Sequence, residues 1–143
     1  MNLFQMFGTS ESLEKDGIEI QYGENSKGKD IVFKIARAGG SNAEFNKAME
    51  RLTKPYRRHI QQGTLDNKVA DDIYRTAFID AVLLGWEGVE DQNGKDIPFN
   101  KEAAHELFKS LPELFNDLRD QASNMALFRK ENLDADVKNS GQS

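Results

Sequence analysis

Few side chains in this sequence are equipped for chemistry. The chain has 2 histidines and no cysteine, with 24 carboxylates against 19 lysines and arginines. Without cysteine it has no disulfide, no thiolate metal site and no thiol nucleophile. Glu102 and His105 have the spacing by which one helix offers a carboxylate and an imidazole to a metal. Di-metal helical bundles need a second such pair and further glutamates, and only this one occurs. His105 is therefore expected on a helix surface. Around Asp91, a calcium loop would place Asn93 third and Glu102 twelfth, as that motif requires. Lys95 then falls on a ligand position and Asp96 where the sharp turn needs glycine, so Asn93-Gly94 reads instead as a tight turn. No phosphate-binding glycine loop, GxSxG or HExxH pattern occurs. The expectation is a protein without catalytic residues, cofactor or metal.

Lys54, Arg57, Arg58 and His59 form the one basic cluster. It could touch phosphate, which makes a small nucleic-acid-binding regulator the alternative reading. With a formal net charge of -5, the commoner outcome is a solvated face paired with neighbouring carboxylates. Neither a nucleic acid nor an anionic membrane is the expected partner, since both select basic surfaces.

Positioning elements follow from periodicity. In 1–16, Leu3, Phe4, Met6 and Phe7 precede a Gly-Thr-Ser stop; the expectation is a flexible lead whose aromatics pack back, with a detachable partner-binding hook as the sharper option. The lead has no signal-peptide pattern. Alternation of Ile18, Ile20 and Tyr22, then of Ile31, Phe33 and Ile35, around a polar glycine loop predicts a β-hairpin over 17–38. A lone hairpin is marginal, so it must pack on helices or pair with another strand. Ser41 or Asn42 then caps a helix with Phe45, Ala48, Met49, Leu52 and Tyr56 on one face; Pro55 kinks or restarts it and Gly63 stops it. Apolar residues on every side predict a buried central helix that opens at Thr64-Leu65-Asp66, with Asp66 or Thr64 as cap, and runs to Trp86 or slightly beyond, with Phe78, Val82, Trp86 and later Phe99 in the core. The run is too short to span a membrane. Asn100 caps a helix whose inward face is Ala103, Ala104, Leu107, Phe108 and Leu111. Pro112 opens a last helix with Leu114, Phe115, Leu118, Ala122, Met125 and Phe128 at helical spacing. The predicted fold is α+β and mainly α. One domain over 1–132 comprises the hairpin and four or five helices over 41–132, and a polar flexible tail follows at 133–143.

Three ordered stretches carry a family resemblance. A strand ends in Ala36-Arg37-Ala38-Gly39 and leads to Lys54-Pro55-Tyr56-Arg57-Arg58. Gly85-Trp86-Glu87-Gly88-Val89 precedes a polar glycine turn, and Pro98-Phe99 precedes a helix. The helical run of 107–139 closes the set. This order resembles the tail assembly chaperones of long-tailed, siphovirus-like bacteriophages. The resemblance implies a non-catalytic protein of the infected host's cytoplasm, absent from the mature virion. It would bind the tape measure protein, keep it soluble and present it for tail tube assembly, self-associating along that client. It also implies a programmed frameshift near the gene's end, appending a domain that recruits tail tube protein. Val137-Lys138-Asn139 can be encoded by a slippery adenine run there. On this reading Phe115, Leu118, Met125 and Phe128 are the candidate client-binding stripe, with plain core packing as the competing role.

Overall fold

The computed structural model describes residues 2–130 and 132. Its elements in chain order are α1 (Leu3–Phe7), α2 (Glu11–Asp16), β1 (Ile18–Glu24), β2 (Asp30–Ile35), α3 (Ala43–Thr53), α4 (Arg57–Gln62), α5 (Asn67–Ala81), β3 (Leu83–Glu87), α6 (Lys101–Ser110) and α7 (Pro112–Ala122). Short 3-10 turns occupy Lys54–Tyr56 and Met125–Phe128. The architecture is mixed: an antiparallel sheet in the order β1-β2-β3, packed on helices.

The hairpin solves its stability problem by acquiring a third strand. Ile20 pairs with Phe33, which pairs with Trp86, and Ile18 and Leu83 flank Ile35. These residues share the face toward the helices, where Phe33 and Ile35 are fully buried. The register slips between Lys34 and Ile35, leaving Leu84 as an extra residue, 41% exposed.

The expected central helix from Asp66 to Trp86 is therefore corrected. Asp66 does cap it, accepting from the Lys68 N–H at 2.7 Å, but α5 ends at Ala81 and Trp86 belongs to a strand. Apolar residues on all sides came from adding a helix stripe to a strand's inward face. Glycine at Gly85 disfavours helix, and the open edge of β2 supplied hydrogen-bond partners that favour strand. Gly88 then permits the exit from the sheet: at φ 73°, a Cβ there would meet the Asp30 carbonyl at 2.3 Å.

Phe78 and Val82 are fully buried and Trp86 is 8% exposed. Phe99, expected in the core, is 37% exposed and meets Trp86 edge-to-face at 5.0 Å. Asp80, the one charge in the apolar run, sits at the junction of three helices. It pairs with Arg51 of α3 and Lys101 of α6, each at 3.2 Å. Asn42 precedes α3 without capping it; its amide instead donates to the carbonyls of Arg37 and Ala81, at 2.8 and 2.9 Å. Pro55 lies in the 3-10 turn, so the helix restarts as α4 and ends at left-handed Gly63.

The lead is also corrected. It holds two short helices, and the apolar residues of α1 do not pack back: Leu3, Phe4 and Phe7 are 69%, 88% and 60% exposed. The anchor comes after them. The Ser10 N–H donates to the Phe128 carbonyl at 2.7 Å and that of Lys130 to Gly8 at 3.2 Å. Glu14 of α2 is buried, accepting from Thr9, Ser41 and the Arg37 guanidinium. Burial alone would raise its pKa; the hydrogen bonds from Arg37, Ser41 and Thr9 outweigh that and lower it. The tail over 133–143, with Val137-Lys138-Asn139, lies outside the described residues.

Candidate partner-binding surface

The stripe read from the sequence does not lie on one helix. α7 stops at Ala122, and Asn124 caps the 3-10 turn that carries Met125 and Phe128. Leu118 and Phe128 are fully buried, and Phe115 and Met125 are half-buried. Phe115 packs edge-on against Phe78 at 5.3 Å between ring centroids. As a free client-binding face this stripe is corrected: the fold needs its aromatics to close α7 over α5.

Lys54, Arg57 and Arg58 are exposed, and among the described residues none is in an ion pair. The expected pairing with carboxylates is not seen. His59 meets the Thr64 hydroxyl at 3.1 Å. His105 is half-buried while Glu102 is exposed, and no cluster of metal-ligating side chains occurs among the described residues. Burial lowers the pKa of His105, and the charges of Arg75 and Lys109 lower it further. The Asp91 loop is an Asx turn, its carboxylate accepting from the N–H groups of Asn93 at 2.8 Å and Lys95 at 3.0 Å.

One open surface was not singled out by the sequence. It is a groove of about 440 Å³ between α6 and the loop after β3. Ile97, Ala103, Leu107 and Leu111 give it an apolar lining, while Glu90, Asp91 and Glu106 stand on its rim. α6 presents Ala103, Leu107 and Leu111 together because residues three and four apart share a helix face. Asn100 starts that helix, accepting from the Ala103 N–H at 2.7 Å. Leu111, expected to face inward, is 51% exposed, because Pro112 turns the chain immediately after it.

The opposite wall is held by Trp86, whose indole N–H donates to the Ile97 carbonyl at 2.8 Å. Two of the rim carboxylates are held in the charged form. The Ser26 hydroxyl and N–H donate to Glu90 at 2.7 and 2.8 Å and keep its pKa down; the Lys95 and Asn93 N–H groups do the same for Asp91. An apolar floor with carboxylates at its edge suits an amphipathic helix bearing cations beside its apolar stripe. The volume is at the small end of ligand sites, roughly 300–1,000 Å³, enough for anchoring side chains.

The family model for the YdaY prophage protein matches residues 40–139. The chain belongs to the YdaY prophage protein family. It is thus a protein of bacteriophage origin, and the matched span includes every residue lining the groove. Comparisons with curated proteins and with solved structures give no match. No helix among the described residues is long and apolar enough to cross a membrane.

Proposed function

We propose that this prophage protein is a tail assembly chaperone without catalytic activity, acting in the host cytoplasm and left out of the finished virion. It holds helical segments of the tape measure protein soluble until the tail tube encloses them. The observation that carries the reading is the groove: an apolar floor open to solvent, ending in the half-exposed Leu111 and edged by ionised carboxylates. Such a site recognises an apolar stripe on a partner helix and holds it weakly enough to release it. Family membership and the ordered resemblance support a role in phage morphogenesis. Self-association along the client, and a frameshifted extension that recruits tail tube protein, belong to the same proposal. Reading the codons of Lys138 and Asn139 tests the frameshift, since AAG at Lys138 removes the slippery run. Co-expression with fragments of the tape measure protein from the same prophage tests the main claim. The fragment should stay soluble with the wild-type chain and precipitate with Leu111→Asp.

A second reading has its own observation. Lys54, Arg57 and Arg58 are exposed cations without ion pairs among the described residues, as phosphate contacts would be. Salt-dependent binding of a DNA duplex, lost when all three become alanine, would favour it over the chaperone.

A further inference from the structure

We propose that a second cleft, between α5 and the α6–α7 corner, binds acidic side chains presented by a helix of a protein partner. The cleft encloses about 370 Å³. Arg75, Lys109 and Arg119 converge on it, and Tyr74, Phe108 and Phe115 supply its aromatic lining. These cations come from three different helices, so the fold and not a basic run brings them together.

Their partners within the chain are incomplete. Among the described residues Lys109 and Arg119 have no carboxylate or other hydrogen-bond acceptor, although Asp71 lines the same cleft. Arg75 pairs with Asp72 through one terminal nitrogen, and its Nε is buried without an acceptor. Arg119 sits over Tyr74, its guanidinium carbon 3.9 Å from the ring centroid. A guanidinium held over a ring by cation–π attraction still has N–H groups to offer a carboxylate. Besides burial, the charges of Arg75 and Lys109 push the pKa of nearby His105 down, with Asp80 and Asp72 acting against them. A carboxylate fits this chemistry because it accepts two parallel N–H bonds from one guanidinium. The surrounding rings favour an apolar residue one helical turn from that carboxylate.

A protein partner fits better than a nucleic acid. The chain's net charge of -5 repels a polyanion at distance. Contacts within the chain also take up ring faces that a base would stack on: Arg119 covers one face of Tyr74, and Phe108 and Phe115 lie against each other at 5.0 Å. The proposal is independent of the tape measure assignment, since it concerns the charge pattern of a partner and not its identity.

The probe is a fluorescent synthetic helix of about 18 residues, long enough to hold its fold, with glutamates flanking one Leu/Phe stripe. Titrated with the full chain, it should bind saturably and more weakly as salt rises. The same peptide with glutamine for glutamate should bind at least about tenfold more weakly, as should the original peptide to Arg119→Glu or Lys109→Glu. Leu111→Asp should leave this binding unchanged, which separates it from the chaperone groove. Melting curves accompany each variant. If Arg119→Glu loses its fold with the Tyr74 contact, Lys109→Glu, at an exposed position of α6, decides alone. Equal affinity for the glutamine peptide, or for the charge-reversed chain, would overturn the proposal. So would displacement of the peptide by inorganic phosphate, or tighter binding of a single-stranded oligonucleotide.

Discussion

Two clefts flank the same helix and carry opposite charge. On one side of α6, Ala103, Leu107 and Leu111 floor a groove rimmed by Glu90, Asp91 and Glu106. On the other, Phe108 and Lys109 join Arg75 and Arg119 around aromatic rings. The helical repeat sorts these residues to different sides, with Ala104 and Phe108 buried between them. Net charge acts on a polyelectrolyte at a distance, but it does not reveal where a local patch of the opposite sign lies. A chain that is acidic overall keeps a basic site by assembling it from distant positions, and its acidic groove is apolar at the floor. Both clefts depend on one aromatic core, in which Phe78 meets Phe108 at 6.2 Å and Phe115 at 5.3 Å.

Trp86→Ala should have the largest effect, a loss of about 3–5 kcal/mol of stability by denaturant titration, as for other large core aromatics. It also removes the donor to the Ile97 carbonyl, so any folded remainder should lose the acidic groove before the basic cleft. An unchanged melting curve would mean that Trp86 does not hold sheet and groove together.

Glu14→Gln comes next and touches neither cleft. It leaves buried donors of Arg37, Ser41 and Thr9 poorly matched and should cost about 1–3 kcal/mol. Because folding lowers the pKa of Glu14, its contribution is present above the unfolded carboxylate's pKa, about 4.3, and is lost as pH falls through the folded value. Wild type should therefore lose melting temperature in that acidic range more steeply than Glu14→Gln. Parallel acid profiles would remove Glu14 as the group responsible.

Leu111→Asp separates binding from folding. At a half-exposed position its effect on stability should stay within about 0.5 kcal/mol, while client affinity falls about tenfold, equivalent to about 1.4 kcal/mol. Asn100→Ala should cost about 1 kcal/mol of stability through loss of the cap of α6. Since that helix borders both clefts, it should weaken client and acidic-peptide binding to similar degrees. A selective loss would show that the two sites do not share α6 as a common wall.

Local signals made much of the fold legible in the sequence. Alternation around the glycine loop marked β1 and β2, and Asp66, Asn100 and Pro112 marked helix starts. The strand over Leu83–Glu87 was not legible, because Leu83-Leu84-Gly85-Trp86 has no clear period of its own and becomes a strand through pairing with β2. The stripe containing Phe115 and Phe128 was visible as a pattern, but periodicity cannot distinguish a face that meets core from one that meets a partner. α1 misled in the opposite sense, since its apolar residues promise packing and remain exposed. The clefts were the least legible features. Arg75, Lys109 and Arg119 are far apart in sequence, and only packing of α5, α6 and α7 makes them neighbours. The exposure of Leu111 depends on the turn made by Pro112.

The central claim is that the acid-rimmed groove beside α6 holds a helical client. Its most direct test is calorimetric titration of the purified chain with helical fragments of the tape measure protein from the same prophage, comparing wild type with Leu111→Asp. Wild type should bind saturably, and the variant about tenfold more weakly at an unchanged melting temperature. Absence of binding to any fragment, or equal affinity of the two proteins, would contradict it.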